Sequence, residues 1–510
     1  MSSNHDLRTL YSEIVTEQLG ESPLLMEAYP FQKRLAEIMV TEVETCPPET
    51  TARQVARRMV ERGVGSILVV DAGRRLRGLI TEHELVARVV APERSDPEGL
   101  TAAEIMRVEP PTMRPETYMY EAMTEMIRRQ LKYLPILDHG EVVGMVSLHD
   151  LMRYRSHKAM LLLGSIREER SLAGLAATRR ELVTVAQTLL AEMRSSPEMT
   201  EILSHIHHGI IRRTFELCLG EAAAQGRQPP PVRYCLLLLG SAGRREMLLA
   251  PDQDHALLFE DYPAEQHAQV EAFFTPLTRR LVAALAEVGY PRCDGLVMAD
   301  QPQWRGRLSD WRERVRDWVA NPEPQQVRNS SIFFDFAAVS GDPALAQELR
   351  ELVLEEVTGQ PGFLYQMMAL ELRYKVPVGL LGRFVVERGG EHRGELSLKL
   401  GGTLYIVDCV RTFALEKGVR EVNTWARLKA LVAADIFAAE TAEHIRAAFE
   451  ALTFLRLRHE IRQIGSGSTP GHHLDPHSLS KTEQELLREA FQAVGKLQDA
   501  TKRYFSRNPF

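Results

Sequence analysis

An internal repeat constrains this chain more than any other feature. Ala36-Glu37-Ile38-Met39 recurs as Ala103-Glu104-Ile105-Met106, and Pro48-Glu49-Thr50 as Pro115-Glu116-Thr117, both at an offset of 67. Gly78-Leu79-Ile80-Thr81 is answered by Gly144-Met145-Val146-Ser147 at an offset of 66. A fixed period of this kind marks one supersecondary unit used twice. The copies fill about residues 35–155. In each, a stretch of helical periodicity (52–62 and 120–130) leads into two short apolar runs around a turn, which predicts helix, strand, turn, strand, helix.

Each copy ends its second apolar run in a glycine, two apolar residues and a hydroxyl residue, followed by a carboxylate: Gly78 to Thr81 with Glu84, and Gly144 to Ser147 with Asp150. Thr81 and Ser147 also suit helix N-caps, because a hydroxyl oxygen satisfies the free backbone N–H groups of a first turn. The repeats resemble a tandem pair of CBS domains, and the likeness covers both copies. In that family the segment closes over an adenosine ligand, with the hydroxyl near phosphate and the carboxylate on the ribose. The resemblance therefore implies an adenosine nucleotide held by Thr81, Ser147 and Asp150. The second copy is complete, whereas Glu84 stands where the family has Asp. CBS pairs often associate through their helices, so a homodimer is also implied.

The rest of the chain divides by composition. Residues 1–34 are read as a short N-terminal helical segment and 156–228 as a helical connector, with apolar residues at three- and four-residue spacing. The connector carries His205, His207 and His208. With no carboxylate read at ligand spacing, these are taken as surface or helix-packing histidines. Pro229-Pro230-Pro231 stops the helix. A new domain is placed over 229–342 and a largely helical one over 343–510.

Chemistry concentrates in the new domain. Val232 to Leu239 suits a buried strand and runs into Gly240-Ser241-Ala242-Gly243-Arg244-Arg245-Glu246. Small residues at a strand end let backbone N–H groups approach a phosphate closely. Asp252-Gln253-Asp254 follows, then the apolar run 256–259. Residues two apart on a strand face the same way, so the two carboxylates are expected to converge. Nucleotidyl transfer needs such a pair, because a divalent ion bridging carboxylates and phosphates neutralises charge and aligns attacker with leaving group. Mg2+ or Mn2+ is expected at Asp252 and Asp254.

This stretch resembles the nucleotidyltransferase core of the uridylyltransferases that modify the PII regulator, through Gly240, Ser241, Gly243, Arg244, Glu246, Asp252 and Asp254. The whole chain resembles the bacterial CBS-domain-containing nucleotidyltransferases of the polymerase-beta-like superfamily. The resemblance implies that Gly240, Ser241, Gly243 and Arg244 bind a nucleoside triphosphate. A third carboxylate would come from Asp294 or Asp300. Lys399-Leu400-Gly401-Gly402 resembles a stretch beside the active site of adenylyltransferases acting on glutamine synthetase, which makes Lys399 a further phosphate ligand.

The expected fold is α+β and multidomain: a tandem CBS pair, a mixed-sheet nucleotidyltransferase core, and a mostly helical connector and C-terminal domain. The expected reaction moves a nucleoside monophosphate from ATP or UTP onto a protein acceptor, tuned by adenosine nucleotides at the repeats. A non-catalytic nucleotide-sensing module and a small-molecule transferase are the alternatives. A net charge of -7 and a pI near 6.2 argue against a nucleic acid partner. Five scattered cysteines without CxxC spacing suit a reducing compartment. With no long apolar run or signal-like start, no membrane association and a cytoplasmic location are expected.

Overall fold

The computed structural model describes residues 34–92, 98–148, 151, 157–191, 195–371, 375–379 and 382–507. The expected helix over 1–34, apart from Arg34, and Asp150 lie outside them. The chain forms two compact units, one of residues 24–164 and one that contains 165–510.

The first unit has the predicted repeat. Helix α1 (Ala52–Arg62) leads to the antiparallel strands β1 (Ser66–Val70) and β2 (Leu76–Thr81); α2 (Met119–Arg128) leads to β3 (Tyr133–Asp138) and β4 (Glu141–Ser147). Each copy borrows an edge from the other. Arg107 and Val108, which follow the second Ala-Glu-Ile-Met, pair antiparallel with Leu79 and Gly78 of the first repeat. Val40, which follows the first such stretch, exchanges both backbone hydrogen bonds with Met145 of the second, at 2.9 and 3.0 Å.

The repeated glycine gains a steric reason from this exchange. A Cβ on Gly78 would lie 2.5 Å from the sulfur of Met106, and one on Gly144 would lie 2.6 Å from that of Met39. Ile105 likewise enters the first repeat's core beside Val55, Ile67 and Ile80. The side chain of Thr81 accepts from the backbone N–H of His83 and forms a capping box with Glu84. The residue standing where the family has Asp is thus spent on a helix cap.

The second unit is built around a four-stranded mixed sheet. Its order is β8 (Ala337–Gly341), β5 (Tyr234–Leu238), β6 (His255–Phe259), β7 (Arg305–Arg307), antiparallel except for the parallel β6–β7 edge. All five residues of β6 are buried, as expected of a strand covered on both faces. Helix α3 (Leu172–Ala191) packs on both α4 (Ser196–Ala224) and α5 (His267–Val288), and these two pack on this sheet, α5 through Phe274 against Tyr234 and Phe259. The stretch read as a connector is therefore an integral layer of this second unit. The C-terminal part is helical as expected, with α6 (Leu404–Glu416), α7 (Thr424–Ala433), α8 (Ala439–Gly465) and α9 (Lys481–Arg507). No described helix is long and apolar enough to cross a membrane.

Candidate nucleotide and metal site

The site begins where β5 ends. Gly240 takes a left-handed φ of 56°, which a glycine adopts without a Cβ penalty, and opens a single helical turn, Gly240–Gly243. A Cβ at Gly243 would lie 1.8 Å from the backbone oxygen of Asp335, so only glycine admits this approach. The Leu239 N–H donates to the Asp254 carbonyl at 2.9 Å, which brings the turn alongside the aspartate pair.

Asp252 and Asp254 lie just before β6 rather than on it. The backbone remains extended there, because Gln253 bridges in parallel to Arg292. The Gln253 side chain turns inward and donates to the carbonyls of Val282 and Tyr290, at 3.1 and 2.8 Å. Alternation about this buried glutamine leaves both carboxylates on the other side, so the expected convergence holds for a modified reason. Carboxylate oxygens of Asp252 and Asp254 and the Cys293 sulfur all lie within 4.8 Å of one another.

Burial, and then the charge of Asp252, push the Asp254 carboxyl up to about 7. This is how two close carboxylates behave when water is scarce and one charge opposes the next. Burial pushes the Cys293 thiol up to about 12, with the Asp254 charge adding to the effect. Asp254 Oδ1 is sealed from solvent without a hydrogen-bond partner. Such an atom is costly unless something cationic meets it, and the donor set fits a divalent ion.

A pocket opens beside the pair. Ser241, Arg244, Asp252, Lys399, Trp425 and Arg456 line it. Lys399 starts a π-helical turn, Lys399–Thr403, a distortion often found at functional sites. Although the residue is exposed overall, the surroundings of its ammonium withdraw it from water. Desolvation and then the Arg456 charge hold its pKa below the usual lysine value, against the pull of Asp252 and Asp254.

Three expected residues stand differently from the sequence reading. Arg244 reaches the pocket wall, but its Nε donates to Glu246 at 2.7 Å and its Nη1 to Asp335 at 2.8 Å. It is chiefly a strut. Asp300 accepts from Arg292 at 2.9 Å, and Asp294 is exposed. Among the described residues, the third ligand-type group at the aspartate pair is Cys293.

The strut belongs to a buried network. Asp335 pairs with Arg244, Arg411 and Arg427 at 2.7–2.8 Å and is fully buried. Burial alone would raise its pKa, but the charges of Arg411, Arg427 and Arg244 more than offset this and hold it well below the usual carboxylate range. Glu246 also accepts from the backbone N–H of Thr424 at 2.7 Å, where a carboxylate suits the first turn of α7.

Helix α4 holds the same loop from the other side. Ser204 accepts from the Met247 N–H at 2.9 Å; His207 Nε2–H donates to the Leu248 carbonyl at 2.7 Å, and His208 Nε2–H to that of Ala242 at 2.8 Å. Burial, followed by nearby arginine charge, lowers both histidines to about 3, so they act as neutral donors. The packing role expected of them is specific: they clamp the phosphate-type loop. Glu201, overlooked as a partner in the sequence, lies 3.1 Å from His205. Sequence reading also missed Arg456, whose Nε donates to buried Glu460 at 2.9 Å while the side chain borders the pocket.

Comparison with known proteins agrees with this division. Residues 35–91 and 102–157 match the CBS domain family, 180–325 the family described as "Putative nucleotidyltransferase DUF294", and 361–505 that described as "Putative nucleotidyltransferase substrate binding domain". The CBS domain-containing protein YhcV of Bacillus subtilis is 34% identical over 22% of this chain and 79% of its own length. The uncharacterized protein MK0525 of Methanopyrus kandleri is 30% identical over 26% of this chain and 67% of its own. The Arabidopsis thaliana protein CBSCBSPB2 is matched over only 24% of its length. A solved structure titled as CBSX2 in complex with AMP is 18% identical over 24% of this chain and 94% of that one, with a TM-score of 0.22. The chain belongs to the CBS domain-containing proteins, and behind its CBS pair it carries a nucleotidyltransferase domain of the DUF294 type and the substrate-binding domain that accompanies it.

Proposed function

We propose that the 165–510 unit transfers a nucleoside monophosphate from ATP or UTP to a protein acceptor, in the manner of the PII uridylyltransferases. One observation carries this reading: Ser241, Asp252 and Lys399, from three separate segments, border one pocket. Asp252 and Asp254 would hold a divalent ion, Mg2+ or Mn2+, which when bound neutralises phosphate charge and aligns the reacting groups. The turn from Gly240 to Gly243 brings backbone near the phosphates. Lys399 and Arg456 border the same pocket and supply positive charge. Trp425 and Phe449 add aromatic surface on which a base can rest. Pyrophosphate is the leaving group.

The CBS pair would tune this activity by binding an adenosine nucleotide through Ser147 and Asp150, with Thr81 engaged chiefly as a cap. Exposed Val60, Val86 and Ile127 on its helical segments offer apolar surface for a homodimer.

Calorimetric titration with ATP, UTP, GTP and CTP in the presence of Mg2+ tests the assignment. The wild type should bind one triphosphate at a metal-dependent site that Asp252→Asn/Asp254→Asn removes and Asp150→Ala spares. Label from that α-labelled triphosphate should then pass to a protein acceptor with release of pyrophosphate. Triphosphate binding that survives the double substitution and vanishes with Asp150 would sink the transferase reading.

A further inference from the structure

The aspartate pair has a neighbour that neither the motif nor the family assignments use. Cys293 is 8% exposed, and its sulfur lies within 4.8 Å of a carboxylate oxygen from each of Asp252 and Asp254. Backbone pairing fixes it there. The Gln253 N–H donates to the Pro291 carbonyl, and the His255 N–H to that of Val297, both at 3.1 Å, so residues 291–297 run beside the segment bearing the carboxylates. A tight turn from Cys293 to Leu296 closes the stretch, with Leu296 at a φ of 54°. The second observation is Asp254 Oδ1, buried and without a hydrogen-bond partner on the same cluster.

We propose that Cys293 is a third protein ligand of the site ion, so that the site takes a divalent transition metal of the Co2+ or Zn2+ kind in preference to Mg2+. This rests on the reading that Asp252 and Asp254 bind a divalent ion, adds a donor to that site, and puts a softer ion in place of the Mg2+ or Mn2+ named there. Three donor atoms this close together can meet on one metal. Carboxylate and water ligands suit Mg2+, whereas a thiolate favours softer ions. On coordination the S–H bond breaks, its electron pair forms the sulfur–metal bond, and the proton leaves to solvent. Cys46, Cys218, Cys235 and Cys409 are also buried but do not join the cluster.

The test uses the full chain stripped of metal with a chelator and titrated with Co2+, following sulfur-to-cobalt charge-transfer absorption in the near ultraviolet. Wild type should develop the band at one equivalent. Cys293→Ser and Cys293→Ala should both lose it while keeping the wild-type melting temperature and secondary structure. Their Co2+ affinity should fall by ~10-fold or more, with Mg2+ affinity changed by less than about 2-fold, where a decade corresponds to ~1.4 kcal/mol of binding. Asp252→Asn/Asp254→Asn should lose the band as well.

Co2+ bound without a sulfur band, and lost only with the aspartates, overturns thiolate ligation and leaves the carboxylate reading standing. A band that survives either cysteine substitution, or the aspartate substitution, places the metal elsewhere and overturns the proposal. Absence of Co2+ and Mg2+ binding from the wild type overturns both this proposal and the carboxylate reading.

Discussion

In residues 24–164 the repeats are joined by backbone exchange and apolar contact: Met39 lies over Gly144, Met106 over Gly78, and Val40 and Arg107 each add an edge to the opposite repeat. In residues 165–510 the sequence-distant parts of the site are joined by buried polar groups: Asp335 with three arginines, Glu246 at the start of α7, and His207 and His208 on loop carbonyls. The first kind of join is non-directional and recurs with the repeat. The second depends on single hydrogen bonds, each expensive to leave half made. A domain that must present ligands in one geometry gains more from the second.

The sharpest way to break this contrast is to remove the hub. Asp335→Ala leaves three buried guanidinium groups short of a partner, and it should destabilise the transferase unit by about 3–5 kcal/mol. Calorimetric unfolding should show one transition falling while that of the CBS unit stays in place. A shift of both transitions would mean that the units do not unfold independently.

Gly144→Ala probes the other kind of join. The nearest atoms to its new methyl all belong to the Met39 side chain, and overpacking of this sort costs about 1–3 kcal/mol. Met39→Ala should restore most of the loss. Gly78→Ala should be rescued less well by Met106→Ala, because the Arg107 backbone oxygen also lies 2.9 Å from the added carbon. Double-mutant cycles on the CBS transition measure the difference.

Acid should separate the units more gently. His207 and His208 drop to about 3 when folded, below the ordinary histidine value, so between pH 6.5 and about 4 the unfolded state binds two more protons there. Stability falls as pH falls. Asp254, raised to about 7, works the other way, since its folded form is protonated first over the same window. Over these three groups the net difference is one proton, or about 1.4 kcal/mol lost per pH unit, and buried His255 and half-buried His472, lowered to about 4 and about 3, add to it in the same direction. Asp254→Asn in metal-free buffer should steepen that slope by about 1.4 kcal/mol per pH unit. The described histidine side chains of the CBS unit, His83 and His139, are exposed.

The smallest effect belongs to Thr81→Ala. Loss of this N-cap should lower the CBS transition by ~1 kcal/mol, as capping substitutions typically do. Unchanged adenosine nucleotide affinity in the same variant would confirm that the residue serves the helix.

The repeat and the order of elements were legible because apolar periodicity and turn residues leave a local signature. Asp252 and Asp254 were legible through their spacing. The helix α1 was read at its observed bounds, Ala52–Arg62. What escaped was long-range: only the fold shows Arg456 on the pocket wall. Arg244 was placed by motif as a phosphate ligand, whereas its partners Glu246 and Asp335 are revealed by the folded chain. Cys293 was passed over because it lacks a CxxC partner, although its oxygen neighbours lie about forty residues upstream.

The grip of α4 on the loop from Ala242 to Leu248 also sets where this enzyme-like unit can be cut. A fragment started at 229, after the three prolines, would retain the entire sheet and both aspartates yet lose Ser204, His207 and His208. It would leave the Met247 N–H and the carbonyls of Ala242 and Leu248 without the partners that shape the turn. The 165–510 unit therefore needs α4 to keep this loop in shape, and a different N-terminal module would have to be spliced on before that helix rather than at the prolines.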